Sequence, residues 1–198
     1  MAGRRAADHA DKRAAILSTA AAFFAAEGFD RASMSELARV CGVSKPLIYH
    51  YFRSKEALLA AILKDHLTRL RNAVDDVPAT SDATEQVRLL VATILATYRG
   101  ADAQHRLQLE AMRHLPDDTV AELSGLQRSI IDRMRTTVGA LAPNLSHAEQ
   151  YAATMSIFGT LNWFYLWHRP GKGLSRAEYG ELATKMALGG IRHLNSEA

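Results

Sequence analysis

The sequence predicts an all-α protein: an N-terminal three-helix domain joined by a long helix to a larger helical domain. Three observations carry this. Apolar residues recur at three- and four-residue spacing through most of the chain. Serine caps and Gly or Pro breakers divide those runs into helix-sized pieces. No stretch alternates convincingly with period two, as a half-buried strand would. The chain has 198 residues, 48% hydrophobic and 23% charged, an ordinary balance for a folded soluble protein. The expected division is 1–54 for the first domain and 55–198 for the second.

Residues 1–10 are small, polar and basic and read as an arm. Asp8 or Asp11 then caps a first helix running to about Glu27. Ile16, Leu17, Ala20, Phe23 and Phe24 make its inner face, and Gly28 stops it.

Residues 33–55 read SMSELARVCGVSKPLIYHYFRSK and carry the clearest functional signal. Ser33 with Glu36 three positions on is a capping box. Leu37, Ala38 and Cys41 form a narrow inward stripe, and Gly42 suits the left-handed end of this short helix. Val43 anchors the turn. Ser44 caps a second short helix, with Pro46 in its first turn, where a missing N–H costs nothing. This is the pattern of a helix-turn-helix, whose second helix enters the DNA major groove. Ile48 and Phe52 face inward, to join Phe29, Leu37, Val40 and Val43 in a small core.

The expected DNA contacts are Ser33 and Ser35 on the first helix and Ser44, Lys45, Pro46, Leu47, Tyr49, His50 and Tyr51 on the second. Tyrosine hydroxyls and lysine reach phosphates, while an apolar Leu47 packs on a thymine methyl. Lys55 adds its ammonium and the free N–H groups of the next helix to a phosphate. The bland alternative is a surface helical hairpin with no partner.

That next helix runs from Ser54 or Lys55 to about Val74, nearly 30 Å at ~1.5 Å per residue. Leu58, Leu59, Ile62, Leu63, Leu67 and Leu70 form its stripe. His66 lies within it, as a core histidine or at a hinge. Asp75–Asp82 is a linker. Further helices are expected over 84–98, up to about His114, then to about Leu141, over 147–168, and from Ser175 to about Leu194. Ser146 caps the helix over 147–168, with Glu149 in its first turn, and Ser175 with Glu178 forms another capping box. Arg169-Pro170-Gly171-Lys172-Gly173 breaks the chain before it.

Charge is uneven. Residues 1–71 hold 12 Lys/Arg against 7 Asp/Glu, a balance of +5, whereas 72–198 hold 12 against 14, or −2. A basic head on a slightly acidic remainder fits a nucleic-acid reader attached to something else. The single cysteine, Cys41, forms no internal disulfide. No apolar run approaches a membrane span, and Arg4-Arg5 precede no signal-peptide core, so a cytoplasmic protein that reaches the nucleoid through DNA is expected.

GVSKPLIYHYFRSKEALL, together with FFAAEGFDRASMSELA upstream, resembles the N-terminal domain of TetR/AcrR-type transcriptional regulators. The resemblance spans roughly Asp11 to Leu63. It departs at Pro46-Leu47, where many members carry Gly-Thr or Gly-Ser, so a hydroxyl contact to phosphate is lost there. The resemblance implies a homodimer on a palindromic operator in double-stranded DNA, formed through the last two helices, with an effector cavity in the second domain. The sequence of 151–168 agrees with dimerisation, being apolar nearly all round; so does the last helix, where Tyr179, Leu182, Ala183, Met186, Leu188 and Ile191 lie beside small Gly180, Gly189 and Gly190.

The candidate effector residues are Arg106, Glu110, Arg113 and His114 on one helix and Phe158, Asn162 and Trp163 on another. Arg113 and His114 suit an anionic head group; Phe158 and Trp163 suit an apolar body. Against this, Arg106, Glu110 and Arg113 also fit a solvent-facing ion-paired stripe, and Asn162 is equally suited to bond across a dimer. LNWFYLWHRPGKGLS resembles a terminal motif of TetR-type regulators of fatty-acid, steroid or aromatic-acid degradation, which implies an acyl-CoA or similar effector. Lys172 interrupts the usual paired glycines. No GxSxG, GxxxxGKS/T or HExxH motif and no Cys–His ligand spacing occurs, so no enzyme, cofactor or metal site is expected. The expected function is a ligand-responsive repressor; the alternatives are a constitutive DNA-binding protein without effector and a small-molecule-binding enzyme.

Overall fold

The computed structural model describes residues 2–169 and 171–198, with side chains for residue 9 and from 11 onward apart from 170. Among the described residues the regular structure is helical, and the one β-type pairing is an isolated bridge between Arg169 and Lys172. The helices are α1 (Ala2–Glu27), α2 (Met34–Val40), α3 (Lys45–Tyr51), α4 (Lys55–Asp75), α5 (Ala83–Thr97), α6 (Asp102–Glu110), α7 (Asp117–Leu141), α8 (His147–Asn162), α9 (Phe164–Trp167) and α10 (Arg176–Glu197). A single 3₁₀ turn, Met112–His114, follows α6.

Two compact units result: 1–67 with 100–123, and 68–99 with 124–198. This differs from a cut between 54 and 55. The first half of α4 and all of α6 group with the helix-turn-helix. In that first unit Phe24, Leu37, Ile48, Leu58, Leu59, Ile62 and Leu63 are fully buried. A three-helix domain of this size buries too little surface to be stable alone, and α4 and α6 supply the missing cover. His66 is buried here with its ring 6.3 Å from that of His105 on α6, which makes it a core histidine.

The second unit is built on α5, α7, α8 and α10. Val87, Leu90, Val91, Ile94 and Leu95 of α5 are buried, and α10 packs along it. Gly180 sits at that contact: a Cβ there would lie 3.1 Å from Leu95 Cδ1. Its smallness therefore serves packing within the chain, and not the close approach of a second chain expected from sequence. Both predicted caps of this unit form as complete boxes, Ser146 with Glu149 and Ser175 with Glu178. The hydrogen bonds from each serine hold both glutamates below the usual carboxylate range.

Three further expectations change. α1 is helical from Ala2, where an arm was expected; Met1 lies outside the described residues, as do the side chains of 2–8 and 10. α8 ends at Asn162 instead of running on to His168, so the chain turns at Trp163 into the short α9. Val40, assigned to the core, is exposed, because α2 buries only Met34, Leu37 and Ala38. Pro170, within the predicted break, lies outside the described residues.

Candidate nucleic-acid interface

The helix-turn-helix is assembled by its caps. Ser33 Oγ accepts the N–H of Glu36 at 3.1 Å. The reciprocal half of the expected box is replaced: the Glu36 carboxylate lies 4.0 Å from Arg39 instead. At the other end of α2, Val43 N–H donates to Ala38 O at 3.0 Å and Gly42 N–H to Arg39 O at 3.1 Å. This paired arrangement needs a left-handed residue between, and Gly42 supplies it at φ +65°. Ser44 Oγ accepts from Leu47 N–H, and Pro46 sits in the first turn of α3. Ile48 and Phe52 are buried, as their spacing predicts.

Lys45, Pro46, Tyr49 and His50 are exposed on α3, while Leu47 and Tyr51 are half-buried. Ser33, Ser35 and Ser44 are exposed as well; Ser33 and Ser44 each accept one backbone N–H as caps, which uses a lone pair of the hydroxyl and not its O–H. α3 thus carries an exposed cation, phenol and imidazole in Lys45, Tyr49 and His50, with the Tyr51 phenol half-buried at its end. That set can donate to phosphates and meet base edges.

Lys55 is placed differently from expectation. Its ammonium donates to the carbonyls of Phe29 at 2.7 Å, Asp30 at 3.2 Å and Ala32 at 3.1 Å, and lies 4.6 Å from the Phe29 ring centroid. Three donors meet three acceptors, so the side chain ties α4 to the loop after α1 and leaves no proton for a phosphate.

The effector candidates fall into two sets. Arg106, Glu110, Arg113 and His114 belong to the first unit, Phe158, Asn162 and Trp163 to the second. Arg106 Nε donates to Glu110 at 3.0 Å with both side chains about half exposed, which is the ion-paired stripe. Arg113 and His114 approach Asp30 at 3.9 and 3.5 Å, and the His114 ring packs on Phe29 at 4.9 Å. They fasten the end of α6 to the loop after α1. Trp163 is 60% exposed and lines no interior. Phe158 and Asn162 do face inward. Asn162 Oδ1 accepts from the Tyr98 hydroxyl at 2.9 Å, and burial pushes that phenol above the usual tyrosine range. Tyr98 was missed from sequence, since nothing local signals a partner 64 positions away.

A second surface is apolar. α8 presents Tyr151 and Met155, the turn after it presents Trp163, and α10 presents Leu182, Met186 and Leu194. Between the two helices runs a groove of about 280 Å³, floored by Val91, Ile157 and Ile191. Ala183, Leu188 and Ile191, expected on a partner-facing surface, are instead buried within the unit. Among the described residues no helix is long and apolar enough to cross a membrane, and no cluster of three or more His, Cys, Asp or Glu is placed to hold a metal.

A capped helix-turn-helix with an exposed polar and aromatic second helix, followed by a larger helical unit, defines a DNA-binding regulator. Residues 16–62 match the family described as bacterial regulatory proteins of the tetR family, and residues 80–191 match the tetracyclin repressor-like C-terminal domain. The chain belongs to the TetR family of transcriptional regulators. It is 32% identical over 121 residues to the HTH-type transcriptional regulator EthR of Mycolicibacterium smegmatis, covering 58% of this chain and only 55% of that protein. It is 28% identical to the HTH-type transcriptional repressor KstR2 of the same organism over 92% of this chain and 91% of that one. Among solved structures, a TetR-family regulator from Bordetella parapertussis superposes with a TM-score of 0.84 at 30% identity, covering 89% of this chain and 93% of that chain. AibR, in complex with isovaleryl coenzyme A and operator DNA, shares the fold at a TM-score of 0.76 and 22% identity, covering 88% and 97%.

Proposed function

We propose that the chain is a homodimeric repressor that grips a palindromic operator through two copies of α3 and is released by a small apolar or acyl-CoA-type effector. The observation that carries the reading is the apolar surface left on α8 and α10 in a chain that also holds a helix-turn-helix. Met186 on α10 is 67% exposed and Trp163, in the turn after α8, 60%, beside helix faces that are packed. Covering such a face with a second copy pairs two reading heads, and two-fold DNA sites call for that. Gly189 and Gly190, with no heavy atom within 4 Å of an added Cβ, would let the backbones come close.

In this reading Lys45, Leu47 and His50 reach base edges, and Ser35, Tyr49 and Tyr51 reach the backbone. Ser33, Ser44 and Pro46 shape the turn and the helix start. Phe158 and Asn162, with Tyr98, are the part of the effector site retained here. Arg106, Glu110, Arg113 and His114 serve the first unit's own cohesion. Effector binding acts on the reading heads through α4, which is continuous from Lys55 to Asp75.

The effector class is supported by the NW…W…RPG-type segment at Asn162–Gly173, by KstR2 as a relative along nearly the whole chain, and by the isovaleryl-CoA bound to AibR. The test is thermal shift with a panel of acyl-CoA thioesters, isovaleryl-CoA included, against the free acids. A cognate thioester at about a hundred times its Kd is expected to raise Tm by roughly 5–10 °C and to release bound DNA. If no thioester stabilises the protein, the acyl-CoA assignment fails; stabilisation without DNA release rejects the effector role.

A further inference from the structure

The N-terminal part of α1 reaches the recognition helix. His9 lies with its ring centroid 4.6 Å from that of Tyr51 at 38° and 6.4 Å from that of His50 at 87°. His50 and Tyr51 meet edge to face at 5.7 Å. One turn further along α1, the Arg13 guanidinium lies 5.5 Å from the ring centroid of Phe52. His9 and Arg13 are four residues apart and so share a face of α1. That face therefore runs against three consecutive rings at the C-terminal end of α3.

A helix of seven residues has little stability of its own, and its last turn is the part that frays. At the end of α3 the chain already leaves helical geometry, since Phe52 is extended at φ −139°, ψ 116°. Tyr51 sits at that fraying point and is only half-buried. Among the ring contacts of the described residues, Tyr51 meets His50 and Phe52 from its own segment and His9 from α1.

We propose that His9 is a positioning residue for operator binding: its ring, set against Tyr51 and edge-on to His50, holds the last turn of α3 in the form that meets the DNA backbone. The inference rests on the reading of α3 as the DNA-contacting helix. It acts through ring contact and not through charge, so an aromatic residue at position 9 does the same work. Losing one aromatic contact of this kind weakens binding about threefold to tenfold.

The test uses the full-length chain and a fluorescein-labelled duplex carrying a sequence the protein itself enriches, read by anisotropy. His9→Ala is expected to weaken binding about threefold to tenfold with Tm unchanged, and His9→Phe to stay within about twofold of the parent. In a Tyr51→Ala background, His9→Ala is expected to add nothing further, because the contact is already gone. Unchanged affinity in His9→Ala, an equal loss in His9→Phe, or full additivity with Tyr51→Ala overturns the proposal. So does a loss that follows a fall in Tm. If Tyr51→Ala and Lys45→Ala both leave binding intact, the reading of α3 itself fails; if those two weaken binding and His9→Ala does not, only the role of His9 fails.

Discussion

Lys55→Met is expected to lower the stability of the protein by about 2–3 kcal/mol, a fall in Tm of roughly 5–10 °C. Methionine keeps an unbranched apolar stem out to the Cε position, with sulfur for one methylene, and lacks the ammonium. Three carbonyls, of Phe29, Asp30 and Ala32, then lose their donor together, two of them in partly buried positions. The cation over the Phe29 ring goes with it. The estimate is held below the sum of three charged hydrogen bonds because the Asp30 carbonyl is exposed and can turn to water. A phosphate-contacting Lys55 predicts the opposite pair of results: unchanged Tm, and a salt dependence of DNA binding shallower by about one counterion. Denaturation and a salt titration on the same variant therefore separate anchor from contact.

The larger effect on function is expected from Met186→Glu combined with Leu194→Glu. Both side chains are exposed in the single chain, so the fold should tolerate carboxylates there, with Tm of the isolated chain little changed. In a dimer built on this face the variant would bury four charges against apolar neighbours, a cost that no partner offsets. Sedimentation should find a monomer. Operator affinity should fall at least about a hundredfold, since each reading head then binds without the effective concentration supplied by its twin. A double variant that remains dimeric would move the interface elsewhere.

The helix-turn-helix was legible because local chemistry specifies it. Ser33 and Ser44 cap, Gly42 turns, and Ile48 and Phe52 point inward, all within interactions of a few residues. The helix starts at Ser146 and Ser175 were legible for the same reason. The end of α8 was not. No Gly or Pro stands at Trp163, so periodicity carried the helix on to His168, and Trp163 was set inside when the structure leaves it outside. Lys55 was misread because its partners are backbone carbonyls 23 to 26 residues upstream, which no side-chain pattern reports. Arg113 and His114 pointed toward an anionic ligand by composition, yet an acid of the first unit, Asp30, is what they meet. Charges within one chain satisfy each other across distances that sequence spacing does not encode.

Selection from a random pool of duplexes with the purified full-length chain separates a dimeric reader from every other arrangement. Reading by two copies of α3 predicts enrichment of a two-fold palindrome whose half-sites are centred about 34–36 Å apart, one helical turn or a multiple of it. It further predicts that Lys45→Ala or Leu47→Ala changes the enriched half-site, while Tyr49→Phe weakens binding to all sequences about equally. Enriched sequences without two-fold symmetry, or the same half-site recovered after both Lys45 and Leu47 are replaced, would contradict it.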